Sequence, residues 1–253
     1  MKLARDTWLV FQRSMSILLH NPAWVIIGLL QPVLYLVLFA PLLKSFASAP
    51  GFPPGGAYNV FVPGLLIQLG LFGATGVGFG LIAELRAGVI ERFRVTPVSR
   101  FALLLGRSLG AIVTLMVQSL LLMLLSIPFG LTPSVSGIVI MLGLVGLIGL
   151  GMASLAYAVA LALKSEDAYA PLTFTVSLPL LLLSGVLLPL EGGPGWLKTI
   201  ATFNPLFHAV KASRDLFNNH GSDPDVFRGL AIMAVLAVVG IFIGARSFNS
   251  AVA

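Results

Sequence analysis

Cysteine is absent from the 253 residues and charge is scarce: Asp, Glu, Lys and Arg make up 9% of the chain, against 58% hydrophobic residues. Without a thiol there is no disulfide framework, no thiolate metal site and no cysteine nucleophile. So few charges cannot solvate the surface of a soluble domain of this length, which is about a quarter charged on average. With a mean hydropathy of +1.02, lipid is the solvent that this composition fits.

Recognisable catalytic chemistry is missing too. There is no G-x-x-x-x-G-K-[ST] loop to cradle ATP phosphates, no H-E-x-x-H helix and no G-x-S-x-G turn. His20, His208 and His220 are scattered and lack supporting carboxylates, so no metal site is expected. All acidic residues fall at or outside the ends of the apolar runs. A proton- or sodium-driven transporter usually needs an ionisable group within the membrane, and an enzyme acting on lipid phosphates needs clustered carboxylates or histidines at its surface. Any uphill transport must therefore draw its energy from another chain, and no enzyme activity is expected.

What the chain has in abundance is long apolar runs. A bilayer core needs about 20 such residues per helix. Six stretches qualify, at about 22–43, 59–83, 101–128, 135–163, 169–190 and 226–246. They predict an all-α integral membrane protein forming a single transmembrane domain over 1–253. Within it, 1–21 is an amphipathic interfacial helix, 22–190 holds spans one to five, 191–225 is an extracellular re-entrant helical pair, and 226–246 is span six. The basic N-terminal segment is too long for a cleavable signal and is expected to persist.

An even number of spans puts both termini on one side. Arg86, Arg92, Arg94, Arg100 and Arg107 crowd the connection between spans two and three, whereas the bases of the last connection are offset by Glu191, Asp215, Asp223 and Asp225. The positive-inside rule therefore makes both termini cytoplasmic. The net charge of +6 is read as topology and attraction to anionic headgroups, with no nucleic-acid partner.

Several segments carry further shape. Placed at 100° per residue, 2–20 divides into a polar sector with Lys2, Arg5, Asp6 and Arg13 and an apolar one with Trp8, Val10 and Phe11. This is the pattern of a helix lying along a leaflet. Span two is expected to continue as a helix into the charged run 84–100, where Thr96 can cap the next helix and Pro97 can take its first position. In the last connection Trp196, Leu197, Ile200 and Phe203 form one stripe, and Leu206, Val210, Ser213 and Phe217 a second, with Lys211 and Arg214 placed off it. Asn204-Pro205 supplies the cap between them. Glycines crowd spans two and four, where small residues let helices approach closely, within one bundle or between subunits. Gln31, Gln68, Gln118 and Phe72 could line a passage, or simply pack against neighbouring helices.

These pieces resemble the type-2 ABC transporter permeases over essentially the whole chain. The most specific likeness is Glu84, Gly88, Glu91-Arg92 and the closing Thr96-Pro97-Val98-Ser99-Arg100, with Gly106-Arg107 beyond it. A second is Trp196-Leu197-Lys198, Asn204-Pro205-Leu206 and Arg214, similar to the family's re-entrant segment before the last span.

The resemblance implies a bacterial plasma-membrane exporter permease for amphipathic drugs, antibiotics or lipid-like molecules, working by alternating access. It implies pairing with a second permease chain, identical or paralogous. It also implies two ABC ATPase subunits that carry the ATP and Mg, while this chain binds no cofactor. Arg5, Arg13, Glu84, Arg86, Gly88, Glu91, Arg92, Arg94 and Pro97 would then face the ATPases as coupling residues. A polysaccharide or lipid-linked glycan exporter of the same family is the alternative cargo reading. Outside the family stand a secondary transporter and a non-transport membrane scaffold.

Overall fold

Leu65, Leu66, Ile67 and Leu71 are sealed from solvent in the middle of the longest helix, α3 (Gly56–Arg86). The rest of the chain is arranged round that helix. A computed structural model describes residues 2–20, 23–39, 41–42, 56–88, 99–187, 190–218 and 221–251. Every regular element among them is helical: α1 (Lys2–His20), α2 (Ala23–Leu38), α3, α4 (Arg100–Ser126), α5 (Val135–Leu163), α6 (Glu166–Leu182), α7 (Gly195–Thr202), α8 (Pro205–Phe217) and α9 (Pro224–Ala251). Two short 3₁₀ turns, Ile127–Phe129 and Leu190–Gly192, punctuate them.

Four of the helices are long and apolar enough to cross a membrane: Gly56–Arg86, Phe101–Phe129, Val135–Leu163 and Pro224–Phe248. A fifth is gained if Lys2–His20 and Val25–Leu38, which meet at 68°, count as one broken span. The expectation of six full spans is thus met in coarser form. Among the described residues, the stretches 22–43 and 169–190 carry the helices Ala23–Leu38 and Glu166–Leu182, of 16 and 17 residues. At about 1.5 Å per residue these fall short of a bilayer core of about 30 Å. Pro32 lies inside α2, and Pro171 and Pro179 lie inside α6, each removing a backbone donor without ending its helix. Past Leu182 the chain turns through Gly185 at φ +77° instead of continuing.

The bundle core is built by helices that touch backbone to backbone. A Cβ on Gly240 of α9 would lie 2.5 Å from the Gly151 carbonyl of α5, and one on Gly244 would lie 3.0 Å from the Ser154 carbonyl. Gly70 and Gly73 of α3 likewise receive Ile148 and Leu115, and Gly146 receives Met116. Much of the glycine pattern is therefore packing within one bundle, although Gly76, Gly80 and Gly143 have no such neighbour among the described residues.

Candidate coupling site

The C-terminal end of α3 and the N-terminal part of α4 meet in an ion pair. Glu84, in the last turn of α3, accepts from Arg107 in the first part of α4. Their side chains are 27% and 10% exposed, so the arginine is well desolvated and its carboxylate partner only partly so. Two residues on, Arg86 Nη1 reaches Glu166 Oε1 of α6 at 3.4 Å, on a surface where such a pair is worth little by itself. Two carboxylate–guanidinium contacts thus link the C-terminal end of α3 to α4 and α6.

α1 closes the cluster from below. Its Thr7–Val10–Ser14 side lies on α4 where the latter has Gly106 and Gly110: Cβ atoms there would meet Val10 Cβ at 2.6 Å and Ser14 Cβ at 2.9 Å. Thr7 and Val10 are buried by this contact, and Asp6 is buried as well, although the helical wheel puts it in the polar sector. Trp8, Leu9, Ile17 and Leu19 remain exposed. Between α1 and the ion pair runs a crevice lined by Val10, Arg13, Ser14, Ile17, Glu84 and Arg107. At about 20 Å³ it has room for a water, so it is no cargo pocket.

The other residues that the sequence singles out fall in different places. Arg5 is exposed, with its Nε 4.0 Å from Asp6 Oδ1. Gly88 follows the end of α3 at φ +67°, in the left-handed conformation that ends helices. Helix α3 therefore stops at Arg86, and α4 starts at Arg100 under a Ser99 cap whose hydroxyl accepts from the Ala102 amide at 3.1 Å. Glu91, Arg92, Arg94, Thr96 and Pro97 lie outside the described residues.

Gln118 donates to the Val25 carbonyl at 3.0 Å and holds α2 against α4. Gln68 is buried. Gln31 lies on the exposed side of α2, within 3.4 Å of the Tyr35 hydroxyl. Phe72 stands 6.4 Å, centroid to centroid, from Phe174 of α6.

In the last connection the two short helices form as expected. Trp196 is exposed on α7, and Asn204 caps α8 by accepting from the Leu206 amide at 3.0 Å, with Pro205 in the first position. Arg214, which the spacing sets off the apolar stripe, is buried too. It lies among the buried residues of α8 at 7% exposure, because its guanidinium has backbone carbonyls to donate to inside the bundle.

At the start of α9, Asp215, Asp223 and Asp225 bring carboxylate oxygens within 4.8 Å of one another. Asp225 is already held by Lys211 Nζ at 2.5 Å and Arg228 Nη1 at 3.1 Å. The Lys211 hydrogen bond pulls its carboxyl below the usual range, against the opposing effect of burial.

Residues 5–218 match the ABC-2 type transporter family. That span takes in the docked N-terminal helix, the ion-paired cluster and both short helices. The chain belongs to the ABC-2 type transporters. It is 26% identical to the daunorubicin resistance ABC transporter permease DrrB1 of Streptomyces coeruleorubidus, over 91% of this chain and 80% of that protein. The transport permease ycf38 of Pyropia yezoensis is 30% identical over 79% of this chain and 69% of its own length. The ycf38 protein of Cyanophora paradoxa is 26% identical over 85% and 75%. As an ABC-2 permease the chain is the non-catalytic, multi-pass membrane subunit of an ABC exporter system, and membership implies a separate ATPase subunit.

The pairings Glu84–Arg107 and Arg86–Glu166 go unnoticed in the sequence, where they are 23 and 80 positions apart. The first had a signal: opposite charges near the facing ends of two consecutive antiparallel helices. The second had none, since nothing in the sequence says which helix neighbours α3 on its other side.

Proposed function

We propose that this chain exports amphipathic drug-like molecules, with the cluster of α1, Glu84 and Arg107 as the place where an ATPase subunit's movement enters the bundle. The observation that carries the reading is the ion pair that joins α3 to α4 beside the docked α1. A push on α1 or on the connection after Gly88 reaches the inner ends of both helices through charged contacts. Such contacts can rearrange at a wet surface without unpacking the apolar core. The drug-like cargo rests on the likeness to the daunorubicin resistance permease.

In this reading the chain crosses a bacterial plasma membrane six times, with the short helices α2 and α6 completing the count. Both termini face the cytoplasm, α1 lies in the inner leaflet, and α7 and α8 form the outward re-entrant pair. A second permease chain stands alongside. Arg5, Arg13, Arg86, Gly88, Glu91, Arg92, Arg94 and Pro97 face the ATPases.

Everted vesicles containing the chain and its ATPase subunit test this. ATP-dependent, vanadate-sensitive uptake of daunorubicin is the expected result; uptake that needs no ATPase subunit overturns it. The absence of native cysteine also permits single-cysteine labelling, expected from outside at 191–225 and from inside at 84–100. The reverse pattern overturns the topology.

A further inference from the structure

Helix α6 stops at Leu182, and the turn that follows is buried: Ser184 and Val186 are each 1% exposed. A helix that ends inside a packed bundle leaves carbonyls with no donor of its own, and irregular backbone at membrane depth survives only where protein satisfies it. Here several of its groups have side-chain partners. The Ser184 hydroxyl donates to the Leu181 carbonyl at 2.6 Å and accepts from the Val186 amide at 3.3 Å. Asn204 Nδ2 donates to the Leu180 carbonyl at 2.7 Å.

Arg214 adds two more bonds. Its Nη2 donates to the Gly185 carbonyl at 2.7 Å and its Nε to the Val60 carbonyl of α3 at 3.1 Å. One side chain therefore joins three elements: α8, which carries it, the turn that ends α6, and the outer part of α3. A guanidinium suits the task, since its planar fork presents donors in fixed and different directions and stays charged at any working pH. The turn and α3 also touch directly: a Cβ at Gly64 would lie 2.8 Å from the Val186 carbonyl. Elsewhere α6 is sparsely covered, with Leu172, Phe174, Val176, Leu178 and Leu182 exposed. Its outer end is thus placed mainly by polar bonds from α8 and its cap.

We propose that Arg214 is a positioning residue for transport, a clamp that holds the outer ends of α3 and α6 to α8 so that the three shift together when the outward side opens. The transport half of this rests on the export reading; the clamp itself does not.

The test uses the permease–ATPase complex in lipid nanodiscs and everted vesicles, with daunorubicin as the transported probe. Arg214→Gln keeps a polar side chain but loses the fork. It is expected to speed amide hydrogen exchange over 183–187 by about tenfold and to cut uptake by about tenfold, while ATP turnover stays within about twofold. Arg214→Lys recovers part of both. Unchanged exchange overturns the clamp; faster exchange with full uptake overturns its role in transport.

Should Arg214→Gln not assemble, spin labels on Leu182→Cys and Phe203→Cys, both exposed positions, decide with Arg214 intact. Their separation stays constant between nucleotide-free and vanadate-trapped complexes if the clamp holds. A change of about 5 Å, one helical turn, overturns it. An intact complex that hydrolyses ATP without taking up daunorubicin counts against that cargo, and exchange and label distance still decide the clamp.

Discussion

The Tyr169 hydroxyl of α6 donates to the Thr75 carbonyl of α3 at 2.6 Å. It reaches that carbonyl through a gap that exists because residue 78 is glycine: a Cβ there would overlap the phenol ring and its oxygen. The neighbouring Phe79 ring meets the phenol edge-on at 4.9 Å. A polar bond, an aromatic contact and a missing side chain thus seat α6 on α3 at one point.

Gly78→Ala is therefore expected to destabilise the bundle by about 1–3 kcal/mol, the usual penalty for overfilling a packed site. Thermal unfolding in detergent measures it. Adding Tyr169→Leu should make the pair less damaging than the sum of the single changes, because the overlap is then relieved. Additive losses would mean that the alanine acts elsewhere.

Removing Glu84 strands Arg107, whose side chain is 10% exposed. Glu84→Ala is expected to cost about 1–3 kcal/mol as a donor left without its acceptor. The double change Glu84→Ala, Arg107→Ala should cost less than the two single changes together. A double-mutant cycle on unfolding midpoints checks this, and zero coupling would make the contact incidental.

Gly106 lets α1 lie against α4, with Val10 Cβ 2.6 Å and the Thr7 carbonyl 2.7 Å from where a Cβ would be. Gly106→Val should push α1 off that face while leaving the α5–α9 core intact. Limited proteolysis within 2–20 is expected to quicken, with the main unfolding transition shifted only slightly. Loss of the whole bundle instead would show that α1 is integral to it.

Acid should weaken the join between α8 and α9. The Lys211 hydrogen bond lowers the Asp225 carboxyl below its ordinary range, helped by Arg228 and His208 and opposed by burial. A lowered folded value stabilises the native state above the unfolded value, about 3.9, and that contribution disappears as pH falls through the folded value. Lys211→Met should therefore cost up to about 1 kcal/mol near neutral pH and progressively less below about pH 4. Stability measured against pH in both proteins tests the sign; a gap that widens in acid contradicts it.

Residue order alone determined much of this protein. Its helical class, its need for lipid, the amphipathic start at 2–20, the Asn204-Pro205 cap and its lack of an ATP-binding loop all depend on composition and on local spacing. Those are properties of neighbours along the chain. The family likeness was legible for the same reason, since its motifs are short and consecutive.

Tertiary structure decided what depends on distant partners. Whether 169–190 runs on as a helix depended on Arg214 and Asn204 being able to receive the carbonyls of a helix that stops early. Whether Gln118 faces a passage or a neighbour depended on α2 lying within reach of its amide. Arg214 itself looks like a surface base on a helical wheel, because a wheel records direction around one axis and not what stands in that direction. Only the packed bundle, with Val60 and Gly185 carbonyls in reach, makes its burial favourable.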